Sequence, residues 1–247
     1  MGDLRRREKR DKVISRLEFL LIGLALLIAI TVFAFLQSDY FSVAEIRISG
    51  NKLIQTEQLL VESQIVKGMN IFRVNLEKTS RILNENPRIK QVNLSRILPN
   101  IISIEVEERT PIALIPQGDE FLELDGEGVV LAKGEEVSSY NLPIITGLLV
   151  KEGTNFKIED SDLIQLLEAF SNLSPEELKE ISEVNISSKE GLLLYTIDGM
   201  QVRLGRPENL TGKVRFFLSI LSEIRAKNIR PGYYIDVSER GYSVIKM

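Results

Sequence analysis

Cysteine, histidine and tryptophan are all missing from this 247-residue chain. Without cysteine there is no disulfide framework, no thiolate nucleophile and no zinc finger. Without histidine the commonest general base and the commonest metal ligand are gone. Serine–histidine–acid triads, histidine-ligated zinc and H-E-x-x-H sites are therefore excluded. The glycine-rich patterns G-x-G-x-x-G and G-x-x-x-x-G-K-[ST] are absent as well. Aromatic residues make up only 6% of the chain, a poor supply for a sugar-stacking platform. Enzyme chemistry is left with carboxylate pairs, a serine–lysine dyad or tyrosine.

What is present is 44% hydrophobic and 27% charged, the balance of a folded chain, with room for one large or two small domains. The net charge of −4 hides an asymmetry. Residues 1–18 hold seven basic side chains, Arg5 to Arg16, against four acidic ones, a balance of +3. The rest carries 24 basic and 31 acidic residues, a balance of −7. An acidic bulk does not suit nucleic acid, whose phosphates call for clustered Lys and Arg.

Residues 19–36 form an uncharged run, FLLIGLALLIAITVFAFL. As a helix it is about 27 Å long at ~1.5 Å per residue, close to a hydrocarbon core of roughly 30 Å. It exceeds the ~7–15 residues of a signal-peptide core, and no A-x-A-like cleavage site follows it. An uncleaved single-span anchor is expected, with the basic head of residues 1–18 on the cytoplasmic side by the positive-inside rule. Residues from 38 onward then lie outside the cytoplasm.

The outer part reads as two pieces. Residues 41–49 alternate as a strand that ends at Gly50-Asn51, and Thr56 is a plausible N-cap for a helix carrying Leu59 and Leu60. A second helix carries Leu76, Ile82 and Leu83 and stops before Pro87. Residues 89–97 and 101–108 make a hairpin about Pro99-Asn100, with Ile102, Ile104 and Val106 on one face. Strand, helix, helix, strand, strand fills residues 38–115, and a polar break at Pro116-Gln117-Gly118-Asp119 is expected to open a second domain, 116–247. There, hairpins are expected about Gly126-Glu127-Gly128 and, as a type I′ turn, about Asp198-Gly199. A helix spans 161–173, Ser174-Pro175-Glu176-Glu177 is a capping box, and Leu210, Val214, Phe217, Leu218, Leu221 and Ile224 stripe a long amphipathic helix. Strands at 233–237 and 241–245 close the chain. The fold class is α+β.

Motifs that could carry chemistry have plainer explanations. The pairs Ser49/Lys52 and Ser243/Lys246 have S-x-x-K spacing but sit in extended segments, where positions i and i+3 face opposite ways. Glu105 and Glu107 lie about 7 Å apart on one strand face, which reads as a solvated hairpin surface. Asp160/Asp162 and Asp125/Glu127 lack the spacing of a calcium loop. No catalytic residue, metal or cofactor is expected. The C-terminal segment is different. A strand at a chain end often forms a sheet edge with unpaired N–H and C=O groups, and a partner strand can be added there. Tyr233, Tyr234 and Tyr242 cluster in it, and tyrosine is enriched at interfaces. The candidate partner-binding residues are Tyr233, Tyr234, Ile235, Asp236, Val237, Ser238, Glu239, Arg240, Gly241, Tyr242, Ser243 and Val244.

The segments, in this order, resemble the bacterial cell-division family FtsQ, called DivIB in Gram-positive bacteria. Four stretches carry the likeness: the basic head with its apolar helix; Phe41-Ser42-Val43 through Gly50-Asn51 with Gly68-Met69-Asn70-Ile71-Phe72; Pro87-Arg88-Ile89-Lys90 to Arg96, Leu98-Pro99-Asn100 and Glu105-Val106-Glu107-Glu108-Arg109; and Leu142-Pro143 to Gly147, Val202-Arg203-Leu204-Gly205 and Ile235-Asp236-Val237. Arg88 stands where many members have an aromatic, and Ser238-Glu239 where proteobacterial members often carry Arg-Tyr. The resemblance implies a membrane-proximal POTRA domain, a mainly β second domain, and a non-enzymatic scaffold of the septation machinery. It also implies that the β domain binds the outer parts of small coiled-coil membrane proteins of the FtsB/DivIC and FtsL kinds. The alternative reading is an extracytoplasmic sensor or a cell-wall ligand-binding protein, which would need a pocket with convergent polar and aromatic groups.

Overall fold

The structure is a computed structural model that describes residues 2–134, 141–148, 150, 157–189, 191–227, 234–239 and 244–246, the first sixteen and last three of these by backbone only. Helix α1 (Gly2–Leu36) runs unbroken from the basic head into the apolar run. Its stretch Glu18–Leu36 is 19 residues long, with a mean hydropathy of 3.0 and no part buried. The chain divides into two compact units, Met1–Asn84 with Gln91–Glu107 as the first, and Glu85–Lys90 with Glu108–Met247 as the second.

The first unit is built on β1 (Glu45–Ser49), α2 (Thr56–Ser63), α3 (Leu76–Asn84), β2 (Ile89–Ile97) and β3 (Ile101–Glu108). The sheet order is β1-β3-β2, with β1 parallel to β3. Ile102, Ile104 and Val106 are buried as the alternation requires, and Leu59, Ile71 and Leu83 close the core. Two local expectations change. The opening strand is shorter than residues 41–49, because Asp39–Phe41 makes a 3₁₀ turn that buries Phe41 beside Phe35 and Phe72. The N-cap of α2 is Gln55, which makes no capping hydrogen bond. Thr56 is the first residue inside the helix rather than its cap, and its hydroxyl accepts from the Asn51 amide at 3.2 Å.

The second unit holds β4 (Ala113–Gln117), β5 (Glu120–Leu124), β6 (Val130–Gly134), β7 (Ile144–Thr146), α4 (Ser161–Ser171), α5 (Pro175–Lys179), β8 (Ile181–Asn185), β9 (Leu192–Thr196), β10 (Gln201–Gly205), α6 (Leu210–Ala226), β11 (Tyr234–Asp236) and β12 (Val244–Lys246). They form one nine-stranded sheet in the order β12-β11-β10-β9-β8-β7-β4-β5-β6. Its core takes Leu163, Leu166, Leu167 and Phe170 from α4 and Leu210, Val214, Phe217, Leu221 and Ile224 from α6. The amphipathic stripe is thus core, and the Ser174–Glu177 capping box is formed as expected.

Residues 116–119, expected as an interdomain break, are the end of β4 and its turn into β5. Strand β4 pairs with β5 along its length and with β7 at Leu114, so residues 116–117 belong to a hairpin of the second sheet. The Asp198-Gly199 turn is not type I′, which needs positive φ at two successive residues. Among its described residues only Gly199 has positive φ, at +82°, and Thr196 N–H donates to the Met200 carbonyl across a three-residue loop.

Candidate functional site

The C-terminal end of the sheet is assembled by a crossover. Strand β10 leads into α6, and β11 returns parallel to β10 with Val202 opposite Ile235 and Arg203 opposite Asp236. Strand β12 then turns back antiparallel on β11, with Asp236 opposite Val244 and Ile235 opposite Ile245. It is the last strand on this side, so one of its edges has no neighbour within the described residues.

The direction of its backbone groups follows from one bond. Val237 N–H donates to the Arg203 carbonyl at 3.0 Å, toward β10. Alternation along a strand then points Asp236 N–H toward β12 and makes Asp236/Val244 a hydrogen-bonded pair. By the same alternation Val244 N–H faces β11, and Ile245 N–H faces the open edge.

The candidate residues divide by burial. Ile235 and Val237 are each 1% exposed and belong to the core, so their side chains are closed to a partner. Tyr234 is half-buried, and the Arg203 guanidinium sits 4.5 Å from its ring centroid, a cation–π contact that orients the ring. Asp236 accepts from Ser238 N–H at 3.0 Å and from its hydroxyl at 2.6 Å, a tight local turn. Ser238 in turn approaches Gly205, where an added Cβ would lie 2.7 Å from the Ser238 Cβ and where φ is +68°. The Val202-Arg203-Leu204-Gly205 stretch therefore seats the tail: Arg203 holds Tyr234, and Gly205 leaves room for Ser238. That pairing joins residues more than thirty positions apart, and no signal in the sequence pointed to it. Glu239 is exposed. Tyr233, Arg240, Gly241, Tyr242 and Ser243 lie outside the described residues, and Val244 is described by backbone only.

Elsewhere the second unit offers two open grooves. One lies between α5 and α6, lined by Glu176, Glu180, Arg215 and Arg225 among others, and one is beside the start of α4, lined by Glu127, Lys157, Asp160 and Glu168 among others. Neither has an aromatic ring in its lining. In the first groove one arginine is paired. Arg225 bonds Glu180 at 2.7 Å and Asp198 at 3.4 Å, and these bonds hold its guanidinium above its ordinary value. The Thr196 hydroxyl, together with Arg225, holds the Asp198 carboxyl below the usual range. Glu105 and Glu107 are exposed on β3, as a solvated face would be. Among the described residues no cluster of three or more acidic or sulfur ligands could hold a metal ion.

Two family models match the chain: "POTRA domain, FtsQ-type" over residues 41–109 and "Cell division protein FtsQ/DivIB, C-terminal" over residues 113–238. The second match includes β11 and stops before β12. The cell division protein DivIB of Clostridium acetobutylicum is 31% identical over 224 residues, 89% of this chain and 88% of that one. The cell division protein FtsQ of Syntrophotalea carbinolica is 31% identical over 196 residues, covering 76% of this chain and 69% of that one. A solved structure of the major extracytoplasmic domain of DivIB from Geobacillus stearothermophilus matches 50% of this chain and 99% of that one at 17% identity, with a TM-score of 0.36.

Proposed function

The chain belongs to the FtsQ/DivIB family of cell-division proteins, and from that membership we propose that it is a non-catalytic scaffold anchored by α1, whose second unit binds the extracytoplasmic segments of other division proteins at the open edge of β12. The partners are small coiled-coil membrane proteins of the FtsB/DivIC and FtsL kinds. The head of α1 stays in the cytoplasm, the two sheets and the helices packed on them work outside it, and the protein acts at the septum. The observation that supports the binding reading is the place of β12 at the end of a nine-stranded sheet, with no strand beyond it among the described residues. Backbone pairing tolerates side-chain change, which accommodates Ser238-Glu239 in place of a more usual pair.

The test uses the full chain in lipid nanodiscs and the soluble segments of the candidate partners. Ile245→Pro removes the outward-facing donor and leaves the β11 ladder intact. It should weaken binding about 5–150-fold, the effect of leaving one acceptor unsatisfied at ~1–3 kcal/mol and ~1.4 kcal/mol per decade, relative to Ile245→Ala, which keeps the donor and controls for any melting change at a position opposite the core residue Ile235. Val244→Pro removes the inward donor and should lower melting as well. If the Ile245→Pro chain binds like the Ile245→Ala chain, this edge is not the interface. Topology is checked by protease added outside spheroplasts, which should digest the two sheets and their helices and spare the head.

A further inference from the structure

The stretch Glu18–Leu36 is about 28 Å long at ~1.5 Å per residue, so a bilayer core of roughly 30 Å ends near Leu36. The headgroup layer beyond it is only ~5–8 Å deep. What the fold ties to Leu36 is therefore set in or against that layer. The Asn70 amide donates to the Leu36 carbonyl at 2.7 Å, and Arg73 donates to the Gln37 side chain at 2.8 Å. The ring of Phe35, inside the span, lies 5.9 Å from Tyr40 and 5.3 Å from Phe41, and Phe41 lies 5.2 Å from Phe72. Gly68 N–H and Val43 N–H pair with Val43 and Met69 carbonyls at 2.8 Å, which fixes the 66–73 loop to the chain just leaving the helix.

This end of the first unit exposes large apolar side chains that its own core does not use. Val66, Met69 and Phe72 project from the loop, and Tyr40 from the 3₁₀ turn at 60% exposure. The β2–β3 turn adds Ile97 and Leu98, held at the same end by Ala44 N–H donating to the Asn100 carbonyl and by Arg96 donating to the Ile71 and Val74 carbonyls. Lys67 and Arg73 stand among them, with Asp39 and the Arg47-paired Glu45 as acidic neighbours. Apolar and aromatic side chains with basic ones beside them suit the zone where acyl chains meet phosphates.

We propose that the 66–73 loop and the Ile97-Leu98 turn are a second membrane contact, inserted into the outer headgroup layer, so that the first unit is held against the lipid surface as well as tethered to it. The span decides the occupant: lipid is what surrounds Phe35, and the patch is continuous with it.

The chain contains no tryptophan, so each single substitution makes a clean fluorescent probe. The full-length protein is placed in nanodiscs whose lipids are brominated high on the acyl chain. Gly23→Trp, at a span position with open space around it, reports the bilayer itself. Phe72→Trp and Tyr40→Trp report the proposed contact. Leu53→Trp is the exposed control, beyond the far end of β1, whose five residues cover about 17 Å at ~3.3 Å each. The expected result is that Gly23→Trp, Phe72→Trp and Tyr40→Trp lose most of their emission on bromination while Leu53→Trp keeps it. Phe72→Trp and Tyr40→Trp emission as unquenched as that of Leu53→Trp overturns the proposal. So does blue-shifted emission that bromination leaves untouched, because a protein surface would then cover the loop. An unquenched Gly23→Trp chain removes the span and with it the premise.

Discussion

In the three-stranded unit, charge stays outside: Arg47 and Glu45 pair at 3.1 Å with both side chains about half exposed, and the centre is Leu59, Ile71, Leu83, Ile102 and Ile104. In the nine-stranded unit, β5 carries charge inward. Its Leu122 and Leu124 enter the apolar core, while Glu123 between them and Asp125 just past the strand are also buried. Arg88 reaches Glu123 at 2.6 Å, and Arg109 reaches Asp125 at 2.5 Å and Glu127 at 2.9 Å. Arg109 N–H also donates to the Arg88 carbonyl. The two arginines flank the β2–β3 hairpin and belong to the second unit, where they supply partly buried counter-charges to buried carboxylates. An apolar core tolerates the loss of a neighbour by shrinking; a buried carboxylate without its arginine has no such recourse.

The largest effect should come from the cores. Phe217→Ala should destabilise the second unit by about 3–5 kcal/mol, and Leu59→Ala the first by about 2–5 kcal/mol. Hydrogen exchange read separately for the two units should show each loss confined to its own unit. Spread of either loss across both would break the division of the chain. Next comes Arg88→Met. It should cost about 3 kcal/mol, the lower end for a buried pair that loses one partner. The loss should appear in the exchange of β4 and β5 rather than of α2 and α3. If α2 and α3 loosen instead, residue 88 belongs to the first unit after all.

Helix caps sharpen the contrast on a smaller scale. Ser174→Ala opens the capping box of α5 and should cost about 1 kcal/mol, while Gln55→Ser offers α2 a cap it lacks and should add about 0.5 kcal/mol, both read by denaturant titration. The smallest effect is pH. The Arg109 bond holds the Glu127 carboxyl below its usual range, and the Thr196 hydroxyl does the same for Asp198. Above about pH 5 both carboxylates are charged in the folded and unfolded chain, and their contribution is complete. As pH falls through 4, the unfolded chain takes up protons first, so stability drops, and the loss ends once pH passes the lowered folded values. Both groups are largely exposed, so each should account for a few tenths of a kcal/mol. Arg109→Gln should flatten the Glu127 part of this acid slope; an unchanged slope would remove the pair from the account.

Much of the fold was legible because its signals are local. The β2–β3 hairpin shows in the alternation of Ile102, Ile104 and Val106, and α5 in four consecutive residues, Ser174 to Glu177. The stripe on α6 repeats every turn. Misreadings arose where a side chain had a second use. Thr56 looks like a cap but is bonded to Asn51, and Phe41 looks like a strand residue but fills an aromatic cluster. Pro116 to Asp119 looks like a linker because a hairpin turn and a linker share the same composition. For the binding edge, the sequence pointed to the terminal strands but not to which side chains they would offer. Ile235 and Val237 are spent on the core, and Tyr234 is held by an arginine from β10.

By itself the sequence determined that this chain has an apolar run long enough to cross a bilayer with a basic head before it, which helices form, and that histidine- and thiol-based catalysis is impossible. Those follow from run length, period and composition, which act over a few residues. Only the tertiary structure decided that β4 lies inside the second sheet, that Arg88 and Arg109 pair with carboxylates of β5 and the turn after it, and that β12 is the end strand of the sheet among the described residues. Each of these depends on which distant segment occupies a strand's neighbouring position, and a strand carries the same alternation whether its edge is paired or bare.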